Sequence, residues 1–197
     1  MDARVAGILL AAGDGTRLGQ PKATVELGGL TLAERGVRLL RDGGADPLLV
    51  VTGAAPVEIA GTHPVPNPDW PSGMGSSLAA GLRALGDGGD VTAAVIALAD
   101  QPLIGPEAVR RLLAAHAGGA AVAVAAYAGR PRNPVLIARG HWAAVLRLAS
   151  GDTGARPFLR AHPELVTLVE CGDVGRPDDI DTPQDLERVR GLLGATS

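Results

Sequence analysis

The sequence predicts an α/β fold with a mostly parallel sheet covered by helices on both faces. Short apolar runs alternate with longer segments of helical periodicity, the pattern of repeated strand–helix units. The runs are apolar throughout, as strands buried on both faces are. Hydrophobic residues make up 46% of the 197 residues and aromatics only 2%, so the core is built from Ala, Val, Leu and Ile. That length supports one sizeable core, and a single domain over residues 1–197 is expected.

The first strand is expected at Val5–Ala11, followed by a glycine-rich loop and a helix at Leu32–Arg41. Thr31 and Glu34 have the spacing of a capping box at that helix start, and "DGG" at 42–44 reads as its end. A strand at Pro47–Thr52 follows, Asn67 ends an edge strand, and a helix covers Ser77–Leu85. Strand Val91–Ala99 precedes helix Pro106–Ala117, closed by "AGG" at 117–119. Strands Ala120–Tyr127 and Pro134–Ala138 lead to helices His141–Ala149 and Gly154–Ala161. Strand Leu165–Cys171 and helix Pro183–Leu193 complete the chain, with Thr182 before a proline at the first helical position.

The net charge of −3 lacks the basic excess of a nucleic-acid binder, so no nucleic-acid partner is expected. The single cysteine, Cys171, excludes a disulfide framework or a cysteine metal cluster and reads as a small buried thiol. The N-terminal "MDARVAGILLAAG" is too short for a membrane span and lacks the flanks of a signal peptide. It reads as a strand, and a cytoplasmic location without a membrane partner is the expectation.

In a parallel sheet, ligands bind beyond the carboxyl ends of the strands. Strand one ends in "LLAAGDGTRLGQPKA". Gly13, Gly15 and Gly19 let backbone approach a ligand and expose N–H groups, while Arg17 and Lys22 add two cations, a combination suited to a polyphosphate. The loop departs from a Walker sequence, because Gln20 and Pro21 follow Gly19. It departs from a dinucleotide fingerprint by one residue in its last gap, and no acidic residue ends the second strand.

The run at 91–99 ends in "ADQP", which puts Asp100 at a strand end as either a Mg²⁺ ligand or a turn cap. "DDIDTPQDL" carries Asp179 and Asp181 on the approach to the last helix, with Asp185 a solvated first-turn charge. "NPDWPSGMGSSLAAGL" places Gly75, Ser76 and Ser77 at a helix start, where Ser76 is either an N-cap or one of several groups facing a base. Arg130, Arg132 and Arg156 are either anion ligands or surface charges. His63, His116, His141 and His162 show no metal spacing and read as surface or helix-end residues.

The loop sequence resembles the signature L-A-A-G-x-x-x-R-[ML]-G-x-x-K of nucleotidyltransferases of the molybdenum cofactor type, the MobA-like family. "ADQP" is similar to that family's D-x-P, "NPDWPSGMGSSL" to N-x-x-W-x-x-G-M-x-x-S-L, and "DIDTPQDL" to D-I-D-T-P-x-D-L. The resemblance spans Val5 to Leu193 and implies a three-layer Rossmann-like nucleotidyltransferase fold. It implies that the loop from Ala11, Ala12, Gly13 and Gly15 wraps a nucleoside triphosphate, with Arg17 and Lys22 stabilising charge during transfer. It implies Mg²⁺ on Asp100 and Asp181, with Asp179 a weaker candidate, and base and ribose contacts from Gly75 and Ser77. "GRPRNP" and "GDTGAR" resemble the acceptor motifs of the molybdenum branch and imply acceptor contacts from Arg132, Asn133 and Arg156. Asn133 stands where that branch commonly has histidine.

The family reading is a Mg²⁺-dependent transfer of CMP from CTP to the phosphate of molybdopterin. The implied protein partner is a molybdoenzyme or its maturation chaperone. Two rivals stand beside it: a transferase using a sugar or isoprenoid phosphate, and a nicotinamide-dependent reductase, since proteins resembling this family reduce pigments.

Overall fold

The computed structural model describes residues 4–86 and 89–194. Strand β1 (Arg4–Ala11) is followed by a loop of two short 3₁₀ turns, a two-residue hairpin pair β2 (Glu26–Leu27) and β3 (Leu30–Thr31), and helix α1 (Leu32–Asp42). Then come β4 (Leu48–Thr52), β5 (His63–Pro66), α2 (Met74–Leu85), β6 (Val91–Leu98) and α3 (Pro106–Ala117). The chain closes with β7 (Val122–Tyr127), β8 (Arg130–Ala138), α4 (Trp142–Leu148), α5 (Arg156–Ala161), β9 (Val166–Glu170) and α6 (Pro183–Gly194).

Seven strands form one sheet in the order β5-β4-β1-β6-β8-β7-β9. Pairing is parallel except at β8, which runs antiparallel to both β6 and β7. The expected mostly parallel sheet is therefore present. β1 sits near its centre, and alternate β1 residues feed two layers. Val5, Leu9 and Ala11 pack with residues of α1 and α3, and Ala6, Ile8 and Leu10 with α2, α4 and α5. The helices lie close to the strands: a Cβ at Gly36 of α1 would fall 2.4 Å from Leu9, and one at Gly81 of α2 would fall 2.7 Å from Ile8.

Several boundaries differ from the sequence expectation. β8 starts at Arg130, not Pro134, because Ala128 and Gly129 form a tight turn with positive φ that pairs Tyr127 directly with Arg130. α2 starts at Met74, three residues before Ser77, and its N-cap is Gly73. Ser76 is thus not an N-cap: its hydroxyl lies in the first turn and donates to Gly73 O at 2.8 Å or Asp69 O at 2.9 Å. The Thr31–Glu34 capping box is present as predicted, and Cys171 is fully buried. No described helix is long and apolar enough to cross a membrane.

A third, smaller cluster matters for the site. Val25, Leu27 and Leu32 pack with Ile180 and Val189, so the β2–β3 hairpin and α6 share one apolar contact. Burying Ile180 completely contributes about 1.5–3 kcal/mol. It also fixes the segment that precedes α6 against the rest of the domain.

Candidate active site

The loop after β1 is shaped by its glycines. Gly15 has φ +62°, and a Cβ there would fall 2.0 Å from Gln20 O, so only glycine allows this return of the chain. Asp14 accepts from Thr16 N at 3.2 Å and Thr16 Oγ1 at 2.6 Å, and these bonds hold its carboxyl below the ordinary range. The loop does not run straight into a long helix. Its turns at Thr16–Leu18 and Lys22–Thr24 are 3₁₀, and α1 begins only at Leu32, beyond the hairpin. A Walker loop and a dinucleotide fingerprint both open a helix directly, so the geometry agrees with the sequence in rejecting both.

Lys22 N bonds Gly13 O at 3.3 Å, which turns the side chain across the strand ends. Its ammonium lies 2.8 Å from Asp100 Oδ2 and also bonds Asp181 Oδ1. Burial opposes the charge on Lys22, but the two carboxylates outweigh it and hold the ammonium above the usual lysine value. Arg17 lies 3.5 Å from the same Asp181 oxygen and is largely exposed. The structure thus gathers Arg17, Lys22, Asp100 and Asp181 from three separate stretches of chain.

Two main-chain bonds set this convergence. Ala99 N bonds Leu10 O at 3.1 Å, carrying the β1–β6 register to the residue before Asp100. Ile180 N bonds Asp100 O at 2.9 Å, which aligns the segment containing Asp181. Asp179, one residue before Ile180, accepts from Gln101 Nε2 at 2.8 Å. Burial raises the Asp179 pKa above the ordinary carboxylate range. Asp100 and Asp181 add to that rise, while Gln101 and Lys22 oppose it. Gln101, within "ADQP", has no role that the sequence alone assigns. A polar amide directly after a buried strand was the available signal.

Asp185 corrects its expectation. It is not a solvated charge but the reciprocal partner of Thr182: Thr182 N donates to it at 2.9 Å, and Asp185 N donates to Thr182 Oγ1 at 3.2 Å. It also accepts from Asp181 N at 3.2 Å. The Thr182 hydroxyl donates to the same carboxylate at 2.8 Å, and that bond first, with those from the Asp181 and Thr182 amides, holds the carboxyl below the ordinary range. The cap fixes the backbone at Asp181 as α6 begins.

A second group sits at the start of α2. Asn67 is buried; its amide donates to Ser76 Oγ at 2.9 Å and Ser77 Oγ at 3.0 Å, and its oxygen accepts from Asp69 N at 3.1 Å. Ser77 is itself buried, so its hydroxyl supports Asn67. Gly75 lies under the Ser150 backbone, where a Cβ would fall 2.6 Å from Ser150 N. Ala11 and Ala12 are buried at the end of β1, and Gly13 is exposed.

The acceptor candidates are spread out. Arg132 lines an open depression of about 460 Å³ together with Asp178, Asp179, Asp181 and Arg188. Asn133 presents its carbonyl to Tyr127 Oη at 3.1 Å, and Arg156 is exposed at the start of α5. Arg130 is exposed at the start of β8.

Asp100 and Asp181 offer hard oxygen ligands bonded to one ammonium group. Magnesium keeps several waters and needs only one or two carboxylates when substrate phosphates complete its shell. Among the described residues, no three His, Cys, Asp or Glu side chains form a group that could hold a metal alone. The donor set fits an ion shared with a phosphate ligand.

Residues 7–166 match the family described as the MobA-like NTP transferase domain. The chain is 39% identical over 199 residues to the nicotine blue oxidoreductase of Paenarthrobacter nicotinovorans, covering 94% of this chain and 96% of that protein. It is 28% identical to the molybdenum cofactor guanylyltransferase of Rhodobacter capsulatus, over 96% and 97% of the two chains. Among solved structures, an Rv0371c homologue from Mycobacterium sp. strain JC1 superposes with a TM-score of 0.87 at 32% identity, over the whole of both chains. The family match covers most of the chain, so this protein belongs to the MobA-like NTP transferase family.

Proposed function

We propose that this chain, acting as one domain over residues 1–197, transfers CMP from CTP to the terminal phosphate of molybdopterin and releases pyrophosphate. The observation that carries the reading is the Lys22 ammonium bonded to both Asp100 and Asp181 beside the glycine loop. That is one strong cation and two oxygen donors next to a backbone shaped for phosphates. Nucleotidyltransferases of this family typically use a divalent metal. Here Asp100 and Asp181 would hold Mg²⁺, which neutralises triphosphate charge when bound.

Loop N–H groups between Gly13 and Gly19 bind the triphosphate, and Arg17 and Lys22 meet the charge that grows on it. A phosphate nucleophile is already ionised near neutral pH, so alignment and charge neutralisation suffice and no general base is required. Arg132, beside Asp181, and Arg156 and Asn133 are the residues assigned to the acceptor. Gly75 and Ser77 line the base side, with Ser77 acting through Asn67. A molybdoenzyme or its maturation chaperone would receive the product. Pyrophosphate release from CTP, GTP and ATP with Mg²⁺ and molybdopterin tests the reading. Release without any preference for CTP narrows it to the transferase class, and no release with any nucleotide overturns it.

A second reading is supported by the 39% identical relative whose name is that of an oxidoreductase. On it, the same scaffold binds a nicotinamide cofactor and reduces a pigment. Thermal shift with NADH and NADPH against CTP separates the two.

A further inference from the structure

The geometry points to Gln101 as a positioning residue that holds the Asp179–Asp181 arm against Asp100. The inference rests on the transferase reading, in which Asp181 is part of the working site. Gln101 is only 4% exposed, yet it follows an apolar strand where a leucine would pack at no polar cost. Its Nε2 donates to Asp179 Oδ1 at 2.8 Å. Its Oε1 is buried and has no hydrogen-bond partner among the described residues. A buried carbonyl oxygen left unpaired works against folding. Core stability therefore does not explain an amide here, and such local violations are expected at functional sites.

The bond to Asp179 gives the explanation. Asp100 and Gln101 are consecutive and grip consecutive residues of a segment nearly eighty positions away. Gln101 Nε2 takes Asp179, and Asp100 O takes Ile180 N at 2.9 Å. The next residue, Asp181, supplies the carboxylate that meets Lys22. The Gln101 N–H ties Asp179 to the end of β6 beside the Ile180–Asp100 bond. Without it the arm loses one of the two bonds it makes to Asp100 and Gln101. Gln101 acts through Asp179 and need not touch substrate.

Two measurements test this on the intact protein. The first is hydrogen exchange of the Ile180 amide without ligand. Gln101→Leu is expected to speed it at least about tenfold while β1 amides keep their rates. Asp179→Ala removes the same bond from the other partner and is expected to do the same. The double variant is expected to match either single one, because both act through one contact. Unchanged exchange in Asp179→Ala, or additive effects in the pair, overturns the assignment; Asp179→Ala alone decides it should Gln101→Leu not fold. The second measurement is calorimetric titration with Mn²⁺ in the presence of CTP. Gln101→Leu is expected to weaken Mn²⁺ binding about tenfold, and parent-like affinity overturns the link to the site. A parent that binds neither CTP nor Mn²⁺ with CTP defeats the transferase reading instead, while the exchange cycle still decides the positioning.

Discussion

The Lys22 ammonium lies 2.8 Å from Asp100 Oδ2, joining residues 78 positions apart, one in the loop after β1 and one just beyond the neighbouring strand β6. The pair is mostly shielded from water, with side-chain exposures of 20% and 19%. On the proposed mechanism Lys22 turns from these carboxylates to the triphosphate as charge develops there. Lys22→Ala is then expected to lower kcat by roughly 10²–10³, about 2.7–4 kcal/mol, the loss measured for one well-placed donor. The nucleotide Kd should change much less. Pyrophosphate release at saturating CTP gives the first number and calorimetry the second. Unchanged turnover removes Lys22 from the mechanism.

Asp100→Asn addresses the other partner. The variant keeps the shape of the side chain and loses its charge, and Lys22 keeps Asp181. The loss of one mostly shielded, charge-assisted bond is expected to cost about 1.5–3 kcal/mol, or roughly 3–12 °C in Tm. Binding of CTP with Mg²⁺ is expected to weaken at least about tenfold, roughly 1.4 kcal/mol, while binding of CTP without Mg²⁺ changes little. Calorimetry with and without the ion, beside a thermal melt, checks both. Parent-like binding with Mg²⁺ would mean that Asp100 serves only the fold.

The strand ends were legible because a parallel sheet puts ligand contacts there, which singled out Arg17 and Lys22 and left Asp100 as a metal ligand or a cap, while the metal role of Asp181 came from the family resemblance. What the sequence hid depended on partners far along the chain. Gln101 has meaning only through Asp179, and Asp185 only through its exchange of bonds with Thr182. β5 was legible only by its end at Asn67. Its Pro64 and Pro66 are tolerated because it is an edge strand with one neighbour. The β2–β3 hairpin was missed although "LGGL" carries its signal: Gly28 and Gly29 both have positive φ, as a two-residue hairpin turn demands. The reversed direction of β8 follows from the two-residue link to β7, since a parallel neighbour needs a long crossover.

Glu170 gives a pH prediction independent of the chemistry. At the end of β9 it accepts from Gly129 N at 2.9 Å and from Ala128 N and Gly172 N at 3.0 Å, clasping the β7–β8 turn. The bond from Gly129, with those from Ala128 and Gly172, holds its pKa below the ordinary glutamate value despite some desolvation. A lowered folded-state pKa contributes stability that is present above the unfolded value, about 4.3, and is lost as pH falls through the folded value. Glu170→Gln is therefore expected to be less stable than the parent at pH 7, with the difference shrinking below about pH 4. Urea unfolding at several pH values measures it. A gap that stays constant down to pH 3 would show that the clasp does not depend on the carboxylate.

On the proposed reading the choice of base turns on Ala12. Its residue is buried, its carbonyl accepts from Ala54 N at 3.3 Å, and it faces the end of β4. A Cβ added at Gly53 would fall 2.8 Å from Ala12 Cβ and 2.6 Å from Trp70 Cγ. Ala12, Gly53 and Trp70 therefore form one tight wall between the glycine loop and the start of α2, and the methyl of Ala12 takes up room within it. On the proposed reading a pyrimidine fits beside that wall and a purine is crowded by it. The parent is expected to prefer CTP over GTP by at least about tenfold in kcat/KM, roughly 1.4 kcal/mol. Ala12→Gly removes the methyl and lets a larger base approach. It is expected to narrow the ratio chiefly by improving GTP. A complete reversal is not expected, because Gly75 and the Asn67–Ser77 support are unchanged. A parent that prefers GTP or ATP overturns CMP transfer and leaves nucleotidyl transfer standing. A parent that prefers CTP, with a ratio unmoved by Ala12→Gly, takes the choice away from this wall and assigns it to the start of α2.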